Sequence, residues 1–382
     1  MVNPHDTPKH EIPSRDIINQ DASEALADRI RRAEADGSPL RIVGGDTKAF
    51  YGRKVQGREV AGEALSTREH RGITEYDPVE LIVSVRTGTP LRELEAVLAA
   101  NGQMLPCEPP HFGADATVGG MIATGLSGPR RPWAGSVRDF VLGTRIITRH
   151  GSEQRFGGQV MKNVAGYDLS RLMVGAQGTL GLITEVSMKV LPLPGATRSL
   201  RLDMPLEDAL EKLAEWGRQP LPFSAAAWLD GALHLRLEGG PSSVEATAQR
   251  LGGDELQEGF WTALREQRLD FFSSEDPRAL WRLSLPHYTP LLEVPGVDAA
   301  RDVLYDWAAT QRWVRSDASA EAIRSVARQA GGHATCWRGS EGRPVDDPFT
   351  PLDPVLEKYH RNLKTQLDPQ GIFNPGRLYA AF

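Results

Sequence analysis

Cysteine is nearly absent: the 382 residues contain two, Cys107 and Cys336. They stand far apart and form no CxxC pair. That excludes an iron–sulfur cluster or a structural zinc held by this chain alone, and it leaves no disulfide framework. Paired histidines are missing too. The nine histidines show neither HxH nor HxxxH spacing, so no metal site is expected. No apolar run approaches the ~18 residues of a membrane span. The polar, proline-containing start MVNPHDTPKHEIPSRD lacks the charged-then-apolar order of a signal peptide. Positive charge is not in excess. The 44 Lys and Arg stand against 50 Asp and Glu, a formal charge of −6, where a nucleic-acid partner calls for a basic surface. The expectation is a cytoplasmic protein with no direct membrane span and no nucleic-acid partner.

What is present is an ordinary globular mixture, 40% apolar and 25% charged, with 38 glycines. The length suggests two or three domains. Asp21-Ala22-Ser23-Glu24 reads as a capping box before a helix with Leu26, Ile30 and Ala33 on one face, stopped at Gly37. LRIV (40–43) reads as a strand, followed by strands at 65–73 and 81–88. Thr89-Pro90 opens a helix with the stripe Leu91, Leu94, Leu98, Thr89 serving as the cap. LGLITEVSMKVL reads as a strand, and Pro192, Pro194 and Gly195 mark a boundary. Beyond it the order is strand, helix, a hairpin turning at Asp230-Gly231, and helix, which suggests a split βαβ, ferredoxin-like layer. A helix is expected from Asp353-Pro354 to about Leu367. The sequence shows no internal repeat.

Three glycine-rich segments carry the chemical signal. LRIVGGDTK places Gly44 and Gly45 after a strand. A triphosphate loop needs Lys directly after its last glycine, but Asp46 and Thr47 intervene before Lys48. A dinucleotide fingerprint needs GxGxxG opening a helix, and GGDTKAFYG does not fit. What remains is a nest of successive backbone N–H groups for an anion, or a plain turn. In TVGGMIATG, Thr117, Gly119 and Gly120 head a short helix, whose N-terminus suits a phosphate; tight packing of helix on sheet is the other reading. The third segment is GAQGTLGLITE (175–185).

This third segment resembles the GSEGTLGIITE signature of flavoproteins of the vanillyl-alcohol-oxidase superfamily. The first loop resembles that superfamily's pyrophosphate loop, the second its TVGG segment, and LDPQGIFNPGRL (367–378) its closing motif. PPHFGADATVGG, GLSGPRRPWAGSVRDFVLG, QVMKNVAGYDLSRLMVG and WRGSEGRPVDDPF further resemble the FAD-binding E subunits of bacterial glycolate oxidases, over nearly the whole chain. The resemblance implies an α+β protein: a PCMH-type FAD-binding domain of two α+β subdomains (1–194), a ferredoxin-like α+β cap (195–350) and a C-terminal helix and tail (351–382) returning to the flavin. It implies non-covalent FAD, because Asp46 stands where some relatives attach the flavin to His. Gly44, Gly45, Asp46, Thr47 and Lys48 would hold the pyrophosphate by backbone amides. Thr117, Gly119 and Gly120 would close over it. Gly178, Thr179, Gly181 and Ile183 would line the flavin, with Asn374 and Arg377 approaching the ring. The implied partners are a related FAD-containing catalytic subunit and an iron–sulfur subunit of glycolate oxidase, which would place the chain peripherally on the inner face of the cell membrane. The implied activity is oxidation of glycolate to glyoxylate in a complex. A free-standing oxidase or dehydrogenase of a sugar acid or lactone, and a flavin-free scaffold, are the alternatives.

Catalytic residues do not declare themselves. Oxidising a 2-hydroxy acid needs a base for the hydroxyl proton and a cation for the carboxylate. Related hydroxy-acid dehydrogenases carry a histidine-rich C-terminal half, absent here. His333 and His287 are the nearest candidates, each also readable as an ordinary histidine. Tyr167 and Asp168 could approach the flavin, or Asp168 could cap a helix. Arg130-Arg131 reads as a solvated loop pair or a contact to phosphate or partner. Cys336 reads as a small buried apolar residue.

Overall fold

The structure is a computed structural model that describes residues 18–54, 62–158, 168–343 and 345–382. Its N-terminal half runs α1 (Ser23–Asp36), β1 (Leu40–Val43), β2 (Glu63–Ser66), β3 (Ile73–Asp77), β4 (Ile82–Arg86), α2 (Leu91–Ala100), β5 (Gln103–Met104), α3 (Val118–Thr124), α4 (Arg131–Ala134), α5 (Val137–Phe140), β6 (Val141–Ile147), β7 (Glu153–Gly157), α6 (Leu169–Leu172), β8 (Leu182–Lys189) and β9 (Leu191–Pro192). β1 and β2 form a parallel pair. β3-β4-β8-β6-β7 form an antiparallel sheet. Leu91, Leu94 and Leu98 of α2 pack with Val83, Val85, Val186 and Met188 of the sheet and with Met121 and Ile122 of α3. Leu26, Ile30 and Ala33 of α1 pack on Leu40, Leu65, Ile372 and Phe373. The C-terminal tail is thus part of the first core.

The cap runs β10 (Ala196–Asp203), α7 (Leu206–Trp216), β11 (Phe223–Leu229), β12 (Ala232–Gly239), α8 (Pro241–Leu251), β13 (Asp254–Glu255), α9 (Phe260–Arg265), β14 (Ala279–Ser284), β15 (Val303–Asp306), β16 (Gln311–Ser316), α10 (Ala320–Gln329) and β17 (His333–Arg338). All its strands join one sheet in the order β13-β10-β12-β11-β15-β16-β14-β17. The first four strands, numbered along the chain, lie in the order 4-1-3-2, the expected ferredoxin-like path. The last four repeat it as 2-3-1-4, with residues 285–302 standing where the first crossover helix would be. The two halves meet where Trp228 of β11 pairs with Tyr305 of β15, their rings edge-on at 6.0 Å. The repeat lies in the chain path, and no residue pattern announces it. α11 (Pro354–Leu367) follows, capped by Asp353, whose Oδ1 accepts from Val355 N and Leu356 N.

Several local expectations give way to tertiary partners. Asp21 Oδ1 accepts from Ser23 N and Oγ, and α1 is capped at Ala22 without a side-chain bond. Thr89 does not cap α2; its Oγ1 accepts from Gly72 N at 2.8 Å and donates to Arg86 O at 2.7 Å. The expected strand at 65–73 is the end of β2, a turn in which His70 N bonds Thr67 O, and the start of β3. Arg130 is not solvated. It is 8% exposed and pairs with Glu108 and Glu238, and Arg236 reaches the same two carboxylates at 2.9 and 3.4 Å. This four-residue cluster ties the N-terminal half to β12. Arg131 lies over the Trp307 ring at 4.5 Å.

Candidate functional site

A cleft opens along the end of β1, the loop after it, α3 and the C-terminal tail. The loop Gly44–Lys48 forms one wall. Arg68 donates through Nε to Gly44 O at 3.1 Å and through Nη2 to Gly45 O at 3.3 Å. A trans peptide sets its N–H opposite its carbonyl, so drawing these carbonyls toward Arg68 turns the Gly45 and Asp46 amides the other way. Among the described residues, none of the five N–H groups from Gly44 to Lys48 has an acceptor. Gly44, Gly45 and Thr47 are half-buried and Asp46 is exposed, and five consecutive amides without a protein acceptor offer an anion nest at the cleft wall.

Space makes the glycines necessary. A Cβ on Gly44 would stand 2.3 Å from Thr117 Oγ1, and one on Gly45 would stand 1.6 Å from Asp115 O. Asp46 takes a left-handed φ of 59° and pairs with Arg41 at 3.3 Å. The side chains of Thr47 and Lys48 leave the cleft. Thr47 Oγ1 and Lys48 Nζ donate to His111 O at 2.7 and 3.2 Å. Burial lowers the Lys48 ammonium to about 8, opposed by the charge of Glu266. Glu266, just past α9, accepts from Phe112 N at 2.7 Å and His111 N at 3.1 Å, so the cap grips the strut on which the nest leans.

The second segment meets the first, with a difference from expectation. Thr117 and Gly120 line the cleft. The amides at the head of α3 are already used: Val118 N bonds Thr89 O, Gly119 N bonds Thr87 O at 2.8 Å, and Gly120 N bonds Thr117 Oγ1 at 3.2 Å. Gly119 serves packing, since its Cβ would lie 2.8 Å from Thr87 Cβ. The third segment contributes Gln177, which sequence reasoning passed over. Gln177 adopts φ 50° between Ala176 and Gly178, lines the cleft, and its buried Oε1 has no partner among the described residues. Gly178, Thr179, Gly181 and Ile183 stand behind it. Gly178 admits the Asn374 amide, whose Nδ2 would be 2.7 Å from a Cβ there. Thr179 Oγ1 donates to Ala176 O, and Ile183 O accepts from Thr87. Gly181 packs on Ile146.

The tail locks these parts together. Asn374 Oδ1 accepts from Ile42 N at 2.7 Å, its Nδ2 donates to Gln177 O at 2.6 Å, and its backbone N–H donates to Leu40 O. Arg377 Nη2 donates to Ala49 O and Tyr51 O, both at 2.8 Å. It braces the loop. With the Lys48 ammonium turned away, Arg41 and Arg377 against Asp46 leave the cleft lining positive.

Other candidates fall elsewhere. His333 and His287 do not line the cleft. Asp168 caps α6, accepting from Arg171 N at 3.0 Å, and Tyr167 lies outside the described residues. Cys107 and Cys336 are buried and free, and burial pushes both thiols up to about 12. Thiolate is the reactive form. Both cysteines should therefore resist a thiol reagent at pH 8 in the native protein and react on unfolding, which a timed labelling assay reads directly.

A family described as "FAD binding domain" matches residues 17–157. The chain is 54% identical to the glycolate oxidase subunit GlcE of Escherichia coli over 360 residues, covering 94% of this chain and 98% of that protein. The chain belongs to the GlcE family of glycolate oxidase subunits. It is 34% identical to the glycolate oxidase subunit GlcD of Bacillus subtilis over 36% of this chain and 29% of that one. It is 31% identical to a D-lactate dehydrogenase of Archaeoglobus fulgidus over 54% of this chain and 46% of that one. An alkyldihydroxyacetonephosphate synthase structure shares the fold, with TM-score 0.64 and 15% identity over 93% of this chain and 76% of that one. FAD is the family's cofactor. The cleft fits it: the unpaired amides and positive lining suit a pyrophosphate, glycines keep the wall bare, and Gln177 Oε1 offers an unused acceptor. Among the described residues no helix is long and apolar enough to cross a membrane, and no cluster of His, Cys, Asp and Glu could hold a metal.

Proposed function

We propose that this chain is the FAD-binding subunit of a glycolate oxidase complex and takes part in oxidising glycolate to glyoxylate by flavin electron transfer. The observation that carries the reading is the run of five unpaired amides, Gly44 to Lys48, in a chain of the GlcE family. These amides hold the FAD pyrophosphate, with Thr117 and Gly120 beside it. Gly119, Gly178, Thr179, Gly181 and Ile183 shape the wall, and Asn374 and Arg377 keep loop and wall in register. FAD supplies the redox chemistry when bound. The boundaries 1–194, 195–350 and 351–382 follow the confinement of one sheet to 73–189 and the other to 196–338.

The partners are a related FAD-containing subunit, a reading supported by the similarity to GlcD, and an iron–sulfur subunit. The assembly sits in the cytoplasm, peripheral on the inner face of the membrane through those partners. The histidine constellation of hydroxy-acid dehydrogenases is missing here, so the related subunit carries the main chemical step. Dye reduction with glycolate is expected from the assembled complex, and only marginally from this chain alone. Robust turnover by the isolated chain would count against the subunit reading. FAD is held non-covalently, because Asp46, engaged with Arg41, replaces the residue that would bond the ring. Acid precipitation should leave all the yellow colour in the supernatant; flavin in the pellet would contradict this.

A further inference from the structure

The cap sheet follows one path twice, but the layer covering it does not repeat. α7, α8 and α10 pack on one face of the sheet, where Ala209, Val244 and Ile323 join a single core. The crossovers place them in the order α8, α7, residues 285–302, α10. Residues 285–302 thus take a helix's place in the middle of the layer, and they form no helix. A groove runs between them and α7, on the side of the cap away from the FAD cleft. One wall is a single face of α7 and its C-cap: Glu207, Leu210, Ala214 and Gly217 follow one another at helical spacing, with Glu211 beside them. That face offers about 15 Å of helix length. Pro290 and Leu291 stand on the other wall, and the β15–β16 turn contributes Ala308 and Ala309.

The groove is rigidly held. Trp307, Ala308 and Ala309 take consecutive left-handed φ angles of 53°, 51° and 68°. Such a run persists in residues other than glycine only where the surroundings enforce it. Arg312, 2% exposed, does so: it donates to Ala309 O at 3.3 Å, to Pro290 O at 2.8 Å and to Thr289 O. One buried guanidinium therefore fixes the turn and the far wall together. A surface already in place costs little ordering when a partner binds.

Two features specify the occupant. The first is shape, since the gap lies where the repeat calls for a helix and an apolar face of α7 borders it. The second is charge. α7 carries Glu207, Asp208, Glu211 and Glu215 against Lys212 alone. Lys212 pairs with Glu215, and among the described residues no cation pairs with the other three. Trp133, 37% exposed, and Tyr288, 59% exposed, also line the groove, and aromatic side chains of this kind anchor protein interfaces. We propose that the groove seats an amphipathic helix of a partner subunit. Its apolar residues at i, i+3 or i+4 and i+7 lie along α7, and its Lys and Arg residues face Glu207 and Glu211. The inference rests on the reading of this chain as one subunit of a complex and adds where, and by what chemistry, a partner grips it.

The test expresses the full chain with the FAD-containing and iron–sulfur subunits and measures their association by co-purification and titration. Ala214→Arg puts a long cation into the groove and should weaken association at least about 10-fold. Glu207→Lys combined with Glu211→Lys should act similarly at low salt and less at about 0.5 M salt, where exposed charges are screened. Glu258→Lys combined with Glu275→Lys, exposed and outside the groove, makes the same change in net charge and should leave association unchanged. Flavin content and circular dichroism show that each variant folds. Ala214→Cys adds an accessible thiol beside the buried Cys107 and Cys336. A photo-crosslinker attached there should capture a helix flanked by Lys and Arg in a partner subunit. Unchanged association in both groove variants, or capture of an acidic segment, overturns the inference and leaves the complex reading standing. Self-association of the isolated chain that Ala214→Arg abolishes makes the occupant a second copy and overturns the partner helix. A wild-type chain that binds neither subunit overturns the complex reading and this inference with it.

Discussion

Gly45→Ala should yield a chain that purifies nearly colourless. The added methyl would stand 1.6 Å from Asp115 O and 2.4 Å from its carbonyl carbon. Both are backbone atoms, so no side chain can swing aside. Gly45 does not occupy the left-handed region; space alone forbids the methyl. The loop must retreat from residues 113–117, and the amides of Gly45 and Asp46 then lose their aim. Two amide bonds to a charged phosphate, at about 1.5–3 kcal/mol each, correspond to at least ~100-fold in FAD affinity. Gly102→Ala is the control. Gly102 has φ 66° with nothing within 4 Å of its Cβ position, so that variant bears only the conformational cost of about 1–2 kcal/mol and keeps its flavin. Flavin absorbance per chain and titration of apoprotein with FAD measure both variants. Full flavin and unchanged affinity in Gly45→Ala would remove the nest from the argument.

How much of this was legible in the residues depends on range. The glycine segments could be read because a bare wall needs residues without side chains, and that requirement is written locally. The first ferredoxin-like layer was legible from alternation and from the Asp230-Gly231 turn, where φ is 50° and 73°. Its second copy was not, because a loop replaces one helix and the residues do not repeat. Partners distant in sequence left no trace. Arg68 reaches back 24 residues to Gly44 O, Arg130 reaches Glu108 and Glu238 across 22 and 108 residues, and each reads locally as surface charge. Thr89 shows the opposite failure. Its local pattern predicts a cap, but Gly72 N, 17 residues earlier, takes the hydroxyl oxygen. Gln177 had a signal that could have been weighed: a long side chain just before Gly178 in a glycine-rich turn is held there for its side chain or for its backbone.

Lys364→Met should be the most destabilising of the single changes considered and should cost the protein its cofactor as well. Lys364 is the buried residue of the otherwise exposed α11. Its Nζ donates to Thr179 O at 2.7 Å, Phe373 O at 3.0 Å and Asp368 Oδ2 at 2.5 Å. Asp368, 1% exposed, also accepts from Ile372 N and Phe373 N, both at 2.9 Å. One ammonium therefore joins α11, the third glycine segment and the strand-like tail that carries Asn374 to β1. Removing it leaves a buried carboxylate without its counter-charge, which typically costs about 3–5 kcal/mol. Urea unfolding at pH 7, with FAD content recorded alongside, tests this: wild-type stability and full flavin in the variant would mean that Lys364 does not hold the tail in place.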